Sequence, residues 1–137
     1  MTHTAERTAE INAYADRISA AALGDGVTVS VWTDYDAYTV IKRTATTMTL
    51  QEDKATMSPN FKPEFVAGGF AGHCVNQGDQ TYMYEHNLTG SKIKVSLRRW
   101  TDEEGNERRL WKKVGTGKFE RGGDVCPGRR KFHDYNF

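Results

Sequence analysis

No stretch of the 137 residues comes near the roughly 18 consecutive apolar residues of a membrane-spanning helix, so no membrane span is expected. Cysteine is scarce: Cys74 and Cys126 are the only two. The N-terminus MTHTAERTAEINAYADR lacks the basic start and apolar run of an export signal. Both thiols are therefore read as free in a reducing cytoplasm, and Asn87-Leu88-Thr89 as a chance match to a glycosylation sequon. Zinc sites usually take ligands in pairs a few residues apart. Here the one close pair, His73-Cys74, is adjacent and has no second pair, so no metal and no cofactor are expected. Hydrophobic residues make up a low 37%, but six Tyr, six Phe and three Trp supply bulk enough for one modest core.

A chain of this length is one domain. Its net charge of +1 hides opposed halves. Residues 1–90 hold 6 Lys+Arg against 11 Asp+Glu, and residues 91–137 hold 13 against 7. The basic end can attract a polyanion locally, or the halves can pair within the fold.

Ile11, Tyr14, Ala15, Ile18 and Ala22 recur at helical steps, with Thr8 as cap candidate and Gly24 as the stop. Residues 1–24 thus read as a helix, packed on the domain or on a second copy. From Val27 the period becomes two, as in strands. Asp34-Tyr35-Asp36 reads as a turn, followed by strands at Tyr38–Arg43 and Thr47–Glu52. A long loop is expected over 53–69, marked by Pro59, Pro63 and Gly68-Gly69. Further strands are expected at His73–Val75, Thr81–Glu85, Lys92–Trp100 and Arg108–Val114, with Lys131–Phe137 closing the sheet. Residues 25–137 form one mainly β domain in this reading: a small, strongly bent sheet or SH3-like barrel behind an N-terminal helix.

GGFAGHCVNQGDQ, residues 68–80, invites a catalytic reading of Cys74. Neighbours on a strand face opposite ways, so His73 cannot serve as its base, which leaves His86 or His133. A free cysteine is more commonly a small core residue, and no catalytic residue is assigned. The polar side chains of His73, Asn76, Gln77 and Gln80 are candidates for a pocket holding an anionic small molecule such as a nucleotide. Asp34 and Asp36 fit turn chemistry better than a cation site. Gly115-Thr116-Gly117-Lys118 lacks both ends of a phosphate-loop motif, though Lys118 and the loop amides suit a lone phosphate.

The broadest signal is the alternation of cations with aromatics in Arg98-Arg99-Trp100, Arg108, Trp111-Lys112-Lys113 and Arg129-Arg130. Nucleic-acid surfaces combine cations for phosphates with rings for bases. Asp102, Glu103, Glu104 and Glu107 lie among them and offer cross-strand ion pairs instead.

Tyr38-Thr39-Val40-Ile41, Gln51 to Thr56 and Pro59 to Phe65 resemble a family of small uncharacterised bacteriophage proteins. Gly68-Gly69-Phe70, His73-Cys74, Asn76-Gln77, Gln80-Thr81-Tyr82 and the ending Gly128-Arg129-Arg130, Phe132, Asp134 to Phe137 are similar too. The likeness covers about residues 25–137. It implies a phage protein in the host bacterial cytoplasm and assigns no residue a role. A non-enzymatic binding protein is the leading expectation. Its partner would be nucleic acid, or a host protein complex that handles nucleic acid or mounts defence. A nucleotide pocket and a Cys/His hydrolase or transferase are the alternatives.

Overall fold

The computed structural model describes residues 2–68 and 71–136. Helix α1 (Thr2–Ser19) buries Thr8, Ala15 and Ile18, a stripe at helical steps, while Tyr14 stands half exposed. Thr8 therefore lies inside the helix and packs inward instead of capping it. The helix ends before Gly24, whose φ of +89° suits glycine and whose N–H donates to Val40 O at 2.8 Å.

Strands β1 (Gly26–Val31) and β2 (Asp34–Arg43) form a hairpin with Trp32-Thr33 as its turn. The expected Asp34-Tyr35-Asp36 turn is instead the start of β2, paired with Val31, Ser30 and Val29. β3 (Thr47–Glu52), β8 (Lys92–Thr101), β9 (Glu107–Lys113) and β10 (Val125–Pro127) complete a six-stranded antiparallel sheet in the order β10-β1-β2-β3-β8-β9. Gly123 and Asp124 stitch its two margins together. Gly123 N–H donates to Ser30 O at 2.7 Å, Ser30 N–H to Asp124 O at 2.9 Å and Lys113 N–H to Gly123 O at 2.8 Å. The sheet thereby nearly closes into a barrel, a mainly β fold with an N-terminal helix. The strand beside β1 is Val125–Pro127, not Lys131–Phe137. Within the latter stretch only Phe132 bridges to a strand residue, Tyr35, and Phe137 lies outside the described residues.

Val27, Val29, Val40, Leu50, Val95 and Trp111 fill the barrel, and Ala15 and Ile18 of α1 close it over β9 and β10. The helix also shields the edge of β9. Asn12 Oδ1 accepts from Arg109 N–H at 2.9 Å, and Asn12 Nδ2 donates to Glu107 O at 3.0 Å. One amide side chain so mimics a neighbouring strand and blunts an edge that would otherwise recruit another chain.

An arm leaves the barrel between β3 and β8. The expected loop over 53–69 contains β4 (Lys54–Met57) and β5 (Phe65–Gly68), which pair with β7 (Tyr82–Glu85) and β6 (Ala71–Cys74). Gly69, at the end of that expected loop, and Phe70 lie outside the described residues. Residues 129–136 run back along this arm. Arg129 anchors them: its Nε donates to Asp53 Oδ2 at 2.9 Å and its Nη2 to Thr39 Oγ1 at 3.1 Å and Gly24 O at 3.2 Å. Thr39 Oγ1 donates to Asp53 Oδ1 at 2.5 Å, and the Asp53 side chain is wholly buried. Removing one partner of such a pair strands a buried charge at a cost of about 3–5 kcal/mol. Arg129 is one-third exposed, so Arg129→Ala should lower the unfolding free energy by about 3 kcal/mol in urea titrations. Adding Asp53→Ala should cost much less than a second such loss.

Candidate functional site

The basic, aromatic-rich third divides into buried and exposed members. Trp111 and Lys112 are 1% and 2% exposed and do not belong to a surface. Trp111 fills the core and donates its Nε1–H to Ser19 Oγ at 3.0 Å. Lys112 Nζ donates to Glu120 O and pairs with Asp124 at 3.0 Å, which pins the segment 114–124 across β9. Arg98 and Arg129 are also committed internally. Arg98 reaches Ser96 Oγ and the carbonyls of Lys113 and Thr116, and Arg129 holds the Asp53 cluster.

Trp100 and Arg108 pair across β8 and β9, with the guanidinium carbon 5.8 Å from the indole centroid. Lys118 Nζ sits 4.7 Å from the Trp100 centroid and 5.2 Å from that of Phe119. Phe119 is 78% exposed and meets Trp100 edge to face at 5.8 Å. Two residues further on, Arg121 Cζ lies 5.6 Å from the ring of Trp32. Trp32 is exposed and holds φ at +56°, a left-handed conformation that costs a bulky residue on the order of 1–3 kcal/mol and clusters at working sites. Beyond it Arg130 Cζ lies 5.0 Å from Tyr35 and 5.9 Å from Phe132. Arg99 and Lys113 are exposed, but strand alternation turns Arg99 to the face opposite Trp100, where it acts on Asp16. Among the described residues, no carboxylate lies within 4.0 Å of the Lys118, Arg121 or Arg130 cation.

Lys118, Phe119, Arg121 and Trp32 join this surface through contacts that the linear pattern does not display. Lys118-Phe119 shows the same cation–aromatic alternation, but its distance along the chain from Trp100 concealed the contact.

The amides after Cys74 have another task. Gln80 Nε2 donates to His133 O at 2.7 Å and its Oε1 accepts from His133 N–H at 3.0 Å. Gln77 Oε1 accepts from Tyr135 N–H at 2.8 Å, and Asn76 ties Lys62 O to Glu64 N–H. Gln77 and Gln80 thus grip the chain's own C-terminal segment, and Asn76 braces the arm. His73 is exposed and Cys74 buried, on opposite faces. The polar partners of Cys74 are Asn76 Oδ1, 3.4 Å from the sulfur, and the Asn136 amide on its backbone. His86 bonds Gln51 Oε1 at 2.9 Å, and His133 lies 3.8 Å from Asp34. Asp34 and Asp36 serve Asp134 N–H and Lys131. Cys126 is half-buried, and burial, then Asp124, push its thiol pKa up, so it stays protonated at neutral pH.

In comparisons with known proteins, no family model, no curated protein and no solved structure matches this chain. Among the described residues no helix is long and apolar enough to cross a membrane.

The helix that borders this surface is latched by Arg109, which forks onto Asp16 with two bonds of 2.7 Å. Arg109, with a smaller push from Arg99, holds the Asp16 carboxyl below its ordinary value of 3.8. A depressed carboxylate pKa adds stability above the unfolded-state value, and that part is lost as pH falls through the folded-state value. Glu52 acts oppositely: burial, then Asp36, raise its pKa, so its ionisation subtracts stability as pH rises. Asp16→Asn should therefore lose less stability than the parent on going from about pH 5 to about pH 2, measured as urea midpoints.

Proposed function

We propose that this chain is a non-enzymatic accessory protein of a bacteriophage that binds nucleic acid, single-stranded regions above all, in the host cytoplasm. The phage context is taken from the sequence resemblance over residues 25–137 alone. The arrangement of Trp100 and Phe119 between Lys118 and Arg108 carries the binding reading. Single strands are held by rings that stack on bases and by cations that follow the phosphates, with little demand for sequence. Here the rings and cations are already assembled, and Arg121 with Trp32 extends the strip around segment 114–124. Lys118 and Arg121 on this strip carry no carboxylate within 4.0 Å among the described residues, while Asp102 stands 3.7 Å from Arg108. The reading needs a surface only, and neither thiol takes part in it.

Fluorescence anisotropy with short labelled DNA and RNA strands at low salt tests it. Trp100→Ala should weaken binding by about ten-fold or more, the scale of one lost stacked base, at roughly 1–3 kcal/mol. Lys118→Ala and Arg121→Ala should each flatten the dependence of log K on log salt by about 0.7. Absence of binding to either kind of strand at low salt would overturn the proposal.

A further inference from the structure

Behind Trp100 and Phe119 the outer face of β9 is not filled. A groove of about 490 Å³ runs between α1 and the segment 118–126, within the range of about 300–1,000 Å³ typical of small-molecule sites. Ile11, Tyr14, Leu110, Trp100 and Phe119 supply its apolar lining. Tyr14 and Phe119 are 50% and 78% exposed, so the groove offers two solvent-accessible rings. Arg7, Arg108 and Lys118 supply the cations. Two carboxylates also line the groove, but Lys112 neutralises Asp124 at 3.0 Å, which leaves Glu120 against the three cations.

One polar atom there is unmet. Arg108 Nε is buried and has no hydrogen-bond partner among the described residues, and Asp102 approaches Arg108 Nη1 only to 3.7 Å. A buried donor normally finds an acceptor, and its lack of one marks a place where a ligand atom or an ion completes the bonding. A flat ring for Tyr14 and Phe119, with an acceptor for Arg108 and a phosphate for the lining cations, is the chemistry of one nucleotide. A wider groove of about 580 Å³ beneath the end of α1 offers no such set. It has no aromatic lining, and its Arg129 is bound to Asp53.

We infer that this groove is a nucleotide pocket that takes one base of the bound strand out of the stack and so sets base preference. The inference rests on the nucleic-acid reading of the neighbouring surface, yet it can be tested separately because Cys126 lines the groove while Cys74 is buried in the core. The test is maleimide labelling at mildly alkaline pH, followed residue by residue by mass spectrometry. It is run on the protein alone and with a short mixed-sequence strand, with AMP, or with inorganic phosphate.

The strand should slow labelling of Cys126 by about ten-fold and leave Cys74 unchanged. Tyr14→Ala should abolish that protection and weaken strand binding about ten-fold without changing its salt slope, since the cations remain. If the strand binds, yet Cys126 labels at its free rate and Tyr14→Ala binds normally, the pocket is wrong and the surface reading stands. If AMP protects Cys126 while no strand binds, the surface reading falls and the pocket holds a free nucleotide. Protection by inorganic phosphate equal to that by AMP would overturn the base pocket, leaving a bare anion site. No binding and no protection would sink both.

Discussion

A buried carboxylate governs this architecture. Asp53 sits where the chain leaves β3 for the arm, with its side chain sealed from water. An ion in such a place is tolerated only when paired and fully hydrogen-bonded. Arg129 and Thr39 meet both oxygens, and Asp53 N–H donates to Ala37 O at 2.9 Å. Through these contacts β2, the root of the arm, the C-terminal segment and the entry to β1 share one point. Gly26 makes room for it. A Cβ there would collide with the Arg129 side chain, so the strand carries hydrogen where the arginine crosses.

A second buried ion performs the corresponding task for the proposed interface. Lys112 reaches outward from β9 and is roofed by the segment it binds, through Glu120 O and Asp124. The loop that presents Lys118, Phe119 and Arg121 is thus held before any partner arrives. Rings and cations fixed in advance lose less entropy on binding than mobile ones. The left-handed backbone of Trp32 lies in the β1–β2 turn, and Gly122 passes close beside it, where a Cβ would stand 3.4 Å from Trp32 N.

Local patterns in the sequence revealed most of the barrel. The helical stripe and the strands around Val27, Val40, Leu50, Val95 and Trp111 follow from hydrophobic period alone. Where position depends on distant partners, the pattern misled. Asp34-Tyr35-Asp36 has turn chemistry, but the turn fell on Trp32-Thr33, which carries no glycine or asparagine to announce it. The four-residue strands β4 and β5 are too short for a period, and two prolines lie between them. Lys112 looked like a surface cation because its acceptors arrive from a loop. The amides of Gln77 and Gln80 looked like pocket lining, whereas their partners are backbone groups more than fifty residues away. Cation–aromatic composition marked out a stretch of the chain, but only the folded chain separates its exposed members from its structural ones.

The span of these tethers has a kinetic corollary. Asn12 meets Glu107 across 95 residues, Asp53 meets Arg129 across 76, and Cys74 meets Asn136 across 62. Closing such loops costs entropy before any contact repays it. A chain held by long-range pairings folds slowly compared with one built from local contacts. Hairpins β1–β2 and β8–β9 can form early, but the arm and helix gain their anchors only when distant segments meet. Until then the edge of β9 stands open. The period of greatest exposure to mispairing is therefore the interval before Asn12 reaches that edge.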